Sequence, residues 1–135
     1  MKIYFAGSIR GGRDRVEEYK KIIALLSTYG TVLTEHIGDS SVGADGQIEL
    51  TDQQIYTKDI HWINEADVVV AEVTVTSLGV GYEIGYAEGL GKRIICLYQP
   101  SEGKRLSAML SGNQKIEVIE YQSVEELTGR LSLAQ

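Results

Sequence analysis

Apolar and polar positions follow one another in blocks along the chain, and the length of each block distinguishes strands from helices. Short apolar runs at Lys2–Ala6, Thr31–Thr34, Asp67–Glu72, Arg93–Tyr98 and Lys115–Glu120 predict five strands. The stretches between them carry apolar residues at three- and four-residue spacing, which is typical of helices that pack on a sheet. Strands alternating with helices predict a doubly wound, Rossmann or flavodoxin-like α/β fold with a five-stranded parallel sheet in the order 2-1-3-4-5.

Capping residues and glycines indicate where the helices begin and end. The second helix should run from about Ile48 to Asn64, and the third should follow a glycine-rich loop and end at Gly91. The segment Ile37–Gln47 is rich in small turn-forming residues, which predicts a mobile loop. The remaining helices are expected from near Asp14 to before Gly30, from Leu106 to Leu110, and from a cap at Ser123 to about Leu131.

Composition and charge narrow the class of protein. A chain of 135 residues, 43% of them hydrophobic, predicts one domain over residues 1–135 with a single core. The chain has neither a long apolar run nor a signal-peptide pattern, so we expect a cytosolic protein, or a nuclear one in a eukaryote, without membrane contact. A net charge of −6 argues against nucleic-acid polymers but leaves a small anion in a local basic pocket open. Cys96, the single cysteine, lies in an apolar run and is expected to be a buried core thiol.

The glycine-rich loop after the third strand is the first candidate for chemistry. The carboxyl ends of parallel strands form the ligand crevice of such sheets, and Gly79 and Gly81 allow a ligand to approach the backbone closely. We expect Glu83 in the first turn of the following helix, where the helix dipole favours an ionised carboxylate that can act as a nucleophile. The alternative is an ordinary acidic residue that helps to start the helix.

Asp59 is the second candidate, because it falls in the middle of an apolar helical stripe. A carboxylate on such a stripe must be paired, hydrogen-bonded or protonated, since an unpaired buried charge is costly. A salt bridge or a cap to a neighbouring loop would explain it equally well. The apolar members of the stripe are Ile48, Ile55, Trp62 and Ile63.

Other polar groups are expected near the same sheet edge. The first βα loop, with Gly7, Ser8, Ile9 and Arg10, combines backbone N–H groups with a guanidinium that can grip a phosphate, although glycine-rich turns also occur for geometric reasons alone. His36 follows the second strand and so lies at the ligand-facing edge.

Neither histidine has metal ligands at suitable spacing, so no metal site is predicted, and His61 should face solvent. Tyr4 is explained by core packing, but its hydroxyl needs a polar partner, which a site at the strand end would provide.

Taken together, seven motifs from about Ile3 to Met109 resemble those of the 2′-deoxynucleoside 5′-phosphate N-hydrolases, which belong to the nucleoside 2-deoxyribosyltransferase superfamily. The resemblance implies hydrolysis of the N-glycosidic bond of a deoxynucleoside monophosphate, without metal or cofactor. These motifs are Tyr4–Arg13, Thr31–His36, Asp59–Trp62, Ala66–Thr74, Ser77–Glu83, Lys92–Leu97 and Leu106–Met109.

The resemblance assigns a role to each candidate. Glu83 would attack C1′ and form a deoxyribosyl-enzyme intermediate, Asp59 would protonate or orient the leaving base, and Tyr4 would position the reacting centre. Two carboxyls in different surroundings suit a retaining mechanism, in which they stand about 5 Å apart. The substrate-binding residues would be Gly7, Ser8, Ile9, Arg10, Ser77 and Gly79 at the sugar and phosphate, His36 near the base, and Ser107, which reaches the phosphate bound to the neighbouring chain of a homodimer.

Ser77 and Ser107 bear on the choice of substrate. In the transferase relatives an acidic residue commonly stands six positions before the nucleophile, and an amide-bearing residue tends to occupy the position of Ser107. Here both positions are serines, which donate to a phosphate without repelling it, and Arg10 is also present. A monophosphate is therefore favoured over a free nucleoside. The alternatives are a transferase that exchanges bases on deoxyribose and a nucleotide-binding module without catalysis.

Overall fold

The computed structural model of the chain describes residues 1–9, 12–36 and 50–133. Its centre is a five-stranded sheet in which all four strand pairs are parallel. The strand order is β2-β1-β3-β4-β5, so the predicted fold class and order are confirmed. The strands are β1 (Lys2–Gly7), β2 (Thr31–Leu33), β3 (Val68–Glu72), β4 (Arg93–Tyr98) and β5 (Ile116–Glu120).

Helices connect the strands and cover both faces of the sheet. They are α1 (Gly12–Ser27), α2 (Asp52–Glu65), α3 (Leu78–Gly89), α4 (Ala108–Ser111) and a closing 3-10 helix (Val124–Gly129). The first helix begins two residues before the predicted start near Asp14. The last element is a 3-10 helix that ends before the predicted Leu131, and the side chain of Ser123 makes no capping bond to it.

The start of α2 was predicted too early. Thr51 accepts a hydrogen bond from the backbone of Gln54, and the Gln54 side chain accepts one from the backbone of Thr51. This reciprocal capping box satisfies two N–H groups that the helix leaves unpaired, so it fixes the first helical residue at Asp52. The predicted start at Ile48 and the predicted loop Ile37–Gln47 lie outside the described residues.

The start of α3 also differs from the prediction, with consequences for the site. Ser77 is the N-cap and accepts a hydrogen bond from the backbone N–H of Val80, so Gly79 lies within the first turn of the helix. Glu83 is the sixth helical residue and lies in the second turn, so its predicted place in the first turn is wrong. The predicted end is confirmed, because Gly91 adopts a φ of 75°, a conformation that favours glycine.

Two apolar layers pack on the sheet, one on each face. Alternation along β1 sends Ile3 and Phe5 to the layer under α1 and the 3-10 helix, and it sends Tyr4 and Ala6 to the layer under α2 and α3. Cys96 is fully buried in the second layer, as predicted, and burial raises the pKa of its thiol to about 12. Within the described ranges, no helix is long and apolar enough to cross a membrane.

Candidate functional site

A cavity of about 1090 Å³ opens at the carboxyl edge of the sheet, where β1, β2 and β3 end. This is the crevice in which parallel α/β sheets bind ligands. Three carboxyl side chains, Glu35, Asp59 and Glu83, lie in its wall. The other predicted site residues among its described lining are Tyr4, Gly7, Ser8, Ile9, His36, Ser77 and Gly79.

Tyr4 and Glu83 form the central contact of the site. The Tyr4 hydroxyl donates a short hydrogen bond to Oε2 of Glu83, which joins the middle of β1 to the second turn of α3. The Tyr4 ring is buried, and its centroid lies 6.4 Å from that of Trp62 on α2. Burial, together with the Glu83 charge, raises the pKa of Tyr4 far above its ordinary value. Tyr4 therefore keeps its proton and acts as a fixed donor to the carboxylate.

Burial sets the proton affinity of Glu83. Loss of solvent raises the pKa of Glu83 above its ordinary value, the hydrogen bond from Tyr4 opposes this rise, and the nearby Glu35 charge adds to it. The expectation that a helix dipole favours the ionised form is therefore wrong: Glu83 lies beyond the first turn, and its pKa is raised rather than lowered. Tyr4, rather than the first turn of α3, stabilises the charge on Glu83.

Asp59 is held in a different environment from Glu83. It is 8% exposed, and its Oδ1 has no hydrogen-bond partner within the part of the chain that the structure describes. Burial raises the pKa of Asp59 to about 8, and a hydrogen bond with Glu35 and the charges of Glu35 and Glu83 add to this effect. At neutral pH Asp59 therefore carries a proton that it can give to a ligand.

Glu35 is a carboxyl residue of this site that the sequence alone did not single out. It is half-buried two residues after the end of β2, lines the cavity and shares a hydrogen bond with Asp59. A carboxylate that closely follows a strand of a parallel sheet lies at the ligand edge. The same argument that selected His36 would have found Glu35 one position earlier.

The first βα loop forms another side of the cavity. Gly7 is required there, because a Cβ would lie 2.9 Å from the ring of Tyr19. The Nε2 atom of His36 donates to the Gly7 carbonyl at 2.8 Å, which fixes the imidazole against the loop. Ser8 is buried and Ile9 is 70% exposed. Arg10, the predicted phosphate ligand, lies outside the described residues.

Ser77 and Gly79 contribute the start of α3 to the cavity wall. The Oγ atom of Ser77 accepts from the backbone N–H of Val80 at 3.2 Å, a bond that does not use the hydroxyl proton. Ser77 can therefore cap the helix and donate to an anion at the same time.

Ser107 lies apart from the other predicted residues. It is exposed at the N-cap of α4, where its Oγ accepts from the backbone N–H of Met109 at 3.2 Å. The described lining of the cavity does not include Ser107. Within residues 1–9, 12–36 and 50–133, no group of three His, Cys, Asp or Glu side chains is placed to hold a metal ion.

Comparison with known proteins identifies relatives of this chain. A 5-hydroxymethyl-dUMP N-hydrolase from Tetraodon nigroviridis is 51% identical over 113 residues, which cover 83% of this chain and 80% of that protein. The Homo sapiens protein of the same name is 46% identical, over 91% of this chain and 73% of its own length.

A solved structure shares the fold. The CMP N-glycosidase of Clostridium botulinum superposes with a TM-score of 0.66 at 22% identity, covering 96% of this chain and 97% of that one. The sequence model described as Nucleoside 2-deoxyribosyltransferase matches residues 3–118. The chain therefore belongs to the nucleoside 2-deoxyribosyltransferase family.

Proposed function

We propose that this protein hydrolyses the N-glycosidic bond of 2′-deoxynucleoside 5′-monophosphates, releasing the free base and 2-deoxyribose 5-phosphate. One observation carries the proposal: Tyr4 supports Glu83 in the same cavity in which burial keeps Asp59 protonated. A charged nucleophile beside a carboxylic acid with a raised pKa is the pair that a retaining glycosidic cleavage needs. The names of the two N-hydrolase relatives support the same reaction and suggest 5-hydroxymethyl-dUMP as a substrate.

In the first step, an oxygen of Glu83 attacks C1′ of the deoxyribose and forms an ester bond. The bond between C1′ and the base nitrogen breaks, and its electron pair leaves with the base. Asp59 gives its proton to the departing base and becomes a carboxylate. Tyr4 holds the carboxylate of Glu83 toward C1′ during the attack.

In the second step, water attacks C1′ of the covalent intermediate and displaces Glu83. The water proton returns to Asp59, which restores the starting state of both side chains. The same residue serves as acid and then as base, as microscopic reversibility requires. Neither step needs a metal ion or an organic cofactor.

The phosphate end of the substrate belongs beside the first βα loop and the start of α3. Ser8, Gly79 and Ser77 offer backbone and hydroxyl donors there, and Arg10 is our candidate for the cation. We assign His36 to the base end of the cavity, as the family resemblance implies; its ring is held by the Gly7 carbonyl and packs against Phe5 and Tyr19.

We further propose that the active unit is a homodimer of single-domain chains in the cytosol or nucleus. Ser107 is exposed and lies outside the cavity of its own chain, which agrees with a role in the neighbouring site. Its hydroxyl can donate to a phosphate while its oxygen caps α4.

The test is to incubate the protein, without added metal, with dUMP, 5-hydroxymethyl-dUMP, deoxyuridine and UMP, and to follow free base by chromatography. We expect release from the two deoxy monophosphates only. Glu83→Gln should abolish the release while the protein remains folded. The matched control is Glu88→Gln on the same helix, a half-buried carboxylate that accepts from the Asn113 side chain and does not line the cavity.

Other outcomes would support the alternatives. Base exchange on deoxyuridine in the presence of a free acceptor base would identify a transferase. Tight dUMP binding without cleavage by the wild-type protein would identify a nucleotide-binding module.

A further inference from the structure

A further carboxyl group lies at the carboxyl end of the sheet, fully buried and outside the described lining of the cavity. Glu72 is the last residue of β3, and none of its surface is exposed. It faces the layer under α1, on the opposite side of the sheet from Asp59 and Glu83. The reaction proposed above does not use it. A buried carboxylate of this kind must be compensated by specific partners.

Two of these partners belong to the loop that leads from β3 to α3. The backbone N–H of Thr74 donates to Oε1 of Glu72 at 2.8 Å, and the Thr74 hydroxyl donates to Oε2 at the same distance. The Thr74 oxygen in turn accepts from the backbone N–H of Gln99 at 2.9 Å. Glu72 thereby fixes the loop three residues before Ser77, the residue that caps α3.

The other partners come from elements on either side. Arg15 of α1 lies 3.4 Å from Oε2 of Glu72 and also donates to the Gln99 side chain. Tyr121, directly after β5, donates a short hydrogen bond to the same Oε2. In the sheet, Glu72 is the register partner of Gly7, the residue that begins the first βα loop. Both loops assigned to the phosphate therefore start beside Glu72.

We propose that Glu72 is a positioning residue, which holds the β3–α3 loop against the start of α1 and so sets the spacing between the two walls of the phosphate site. This inference rests on the proposed function. The two carboxyl oxygens of Glu72 accept all four hydrogen bonds, whereas an amide has one oxygen and adds two donors. Glu72→Gln therefore leaves donors from Thr74, Arg15 and Tyr121 competing for fewer acceptor positions, and the loop shifts.

The experiment compares three variants of the full chain. Glu72→Gln alters the group that accepts all of these hydrogen bonds. Thr74→Val removes only the hydroxyl that the β3–α3 loop contributes, and Tyr121→Phe removes the hydrogen bond from the residue after β5. The readouts are kcat and KM for dUMP, and hydrogen exchange at the backbone amides of residues 74–80. Thermal unfolding of each variant measures the loss of stability separately.

We expect faster exchange at residues 74–80 and a loss of kcat/KM on the order of 10- to 100-fold in Glu72→Gln, since small misplacements of reacting groups carry such costs. Thr74→Val should change both readouts in the same direction, and the double variant should be no worse than Glu72→Gln. Tyr121→Phe should lower the unfolding temperature without changing kcat/KM.

Wild-type kinetics in a folded Glu72→Gln would overturn the inference, as would a loss of kcat/KM in Tyr121→Phe equal to that in Thr74→Val. Should Glu72→Gln not fold, Thr74→Val decides by the same two readouts. A wild-type protein that cleaves nothing would refute the proposed function instead. In that case faster exchange in both loop-side variants supports the positioning of the loop, and unchanged exchange overturns it.

Discussion

Tyr4 donates a hydrogen bond to Glu83 across 79 positions of sequence. The donor stands on a central strand and the acceptor on the second turn of α3, so the contact exists only once the sheet and the helix have packed. Among the described residues, Tyr4 is the group whose hydrogen bond lowers the pKa of Glu83, while burial and the charge of Glu35 raise it. This opposition determines the pH at which Glu83 becomes a nucleophile.

Tyr4→Phe should therefore keep the ring packing and weaken the nucleophile. Without the hydroxyl the pKa of Glu83 rises further, so the acid limb of the kcat/KM profile should move to higher pH. We expect kcat to fall by about 10²- to 10³-fold, the range for the loss of one positioned hydrogen-bond donor. Tyr29→Phe, at a tyrosine packed against the opposite layer, is the control and should leave the profile in place.

Asp59→Asn should abolish proton donation while stabilising the fold. We expect base release to fall by on the order of 10²- to 10⁴-fold, the usual contribution of a positioned acid. In the wild-type protein, activity should decline as pH rises through about 8, where Asp59 loses its proton. Asp52→Asn, at the exposed start of the same helix, should change neither activity nor the pH profile. If the residual activity of Asp59→Asn still declined as pH rises through about 8, the assignment of Asp59 as the proton donor would be contradicted.

The stability effect of Asp59→Asn should depend on pH with a definite sign. Between the ordinary value of 3.8 and about 8, folded Asp59 holds a proton that the unfolded chain has lost. The free energy of unfolding of the wild-type protein therefore decreases as pH rises over this range, by up to about 1.4 kcal/mol per pH unit from this group. In denaturant unfolding, the free energy of unfolding of Asp59→Asn should increase relative to that of the wild type from pH 4 to 8.

Glu35→Gln should shift the whole activity profile to lower pH. The charge of Glu35 raises the pKa of both Asp59 and Glu83, so its removal lowers both values. We expect both limbs of the profile to move in the same direction, in contrast to Tyr4→Phe, which moves the acid limb upward. Glu117→Gln, an exposed position on β5, is the charge-matched control. If neither the acid nor the alkaline limb of the activity profile moves in Glu35→Gln, Glu35 does not share the proton of Asp59.

Ser77→Asp should change the preference for phosphate without disturbing α3. Aspartate is as good an N-cap as serine, so the helix start should persist. Its charge repels a phosphate, and we expect KM for dUMP to rise at least about tenfold, since like charges at an interface are costly. Deoxyuridine should be affected far less. Ser123→Asp, at the cap of the 3-10 helix, controls for the added charge.

Mixing two inactive chains tests the shared site. Glu83→Ala lacks the nucleophile and Ser107→Arg disturbs the phosphate contact that we assign to the neighbouring chain. A mixed dimer contains one site with both defects and one site with neither, so part of the activity should return. Mass spectrometry must show that the dimers have mixed, and mixed dimers without activity would count against a shared site.

The pattern of the sequence was sufficient for the topology and for part of the site. Strand β3 is apolar at four of its five positions, and strands of this kind bury both faces in a parallel sheet. Once the strand order follows, Gly7, His36 and Ser77 must lie at one edge, because each belongs to the end of a strand or to the segment that follows one. The apolar stripe of α2 identified Asp59 as buried for the same local reason.

The tertiary structure alone decided the chemical state of the carboxyls. Glu83 is controlled by Tyr4, and Asp59 by Glu35, through contacts between elements that lie far apart in sequence. Local pattern places a residue on a face of its own element, but a pKa depends on the solvent that packing removes and on the charges that packing brings near. For this reason the sequence predicted that Tyr4, Asp59 and Glu83 belong to one site, and the fold determined which of them holds the proton.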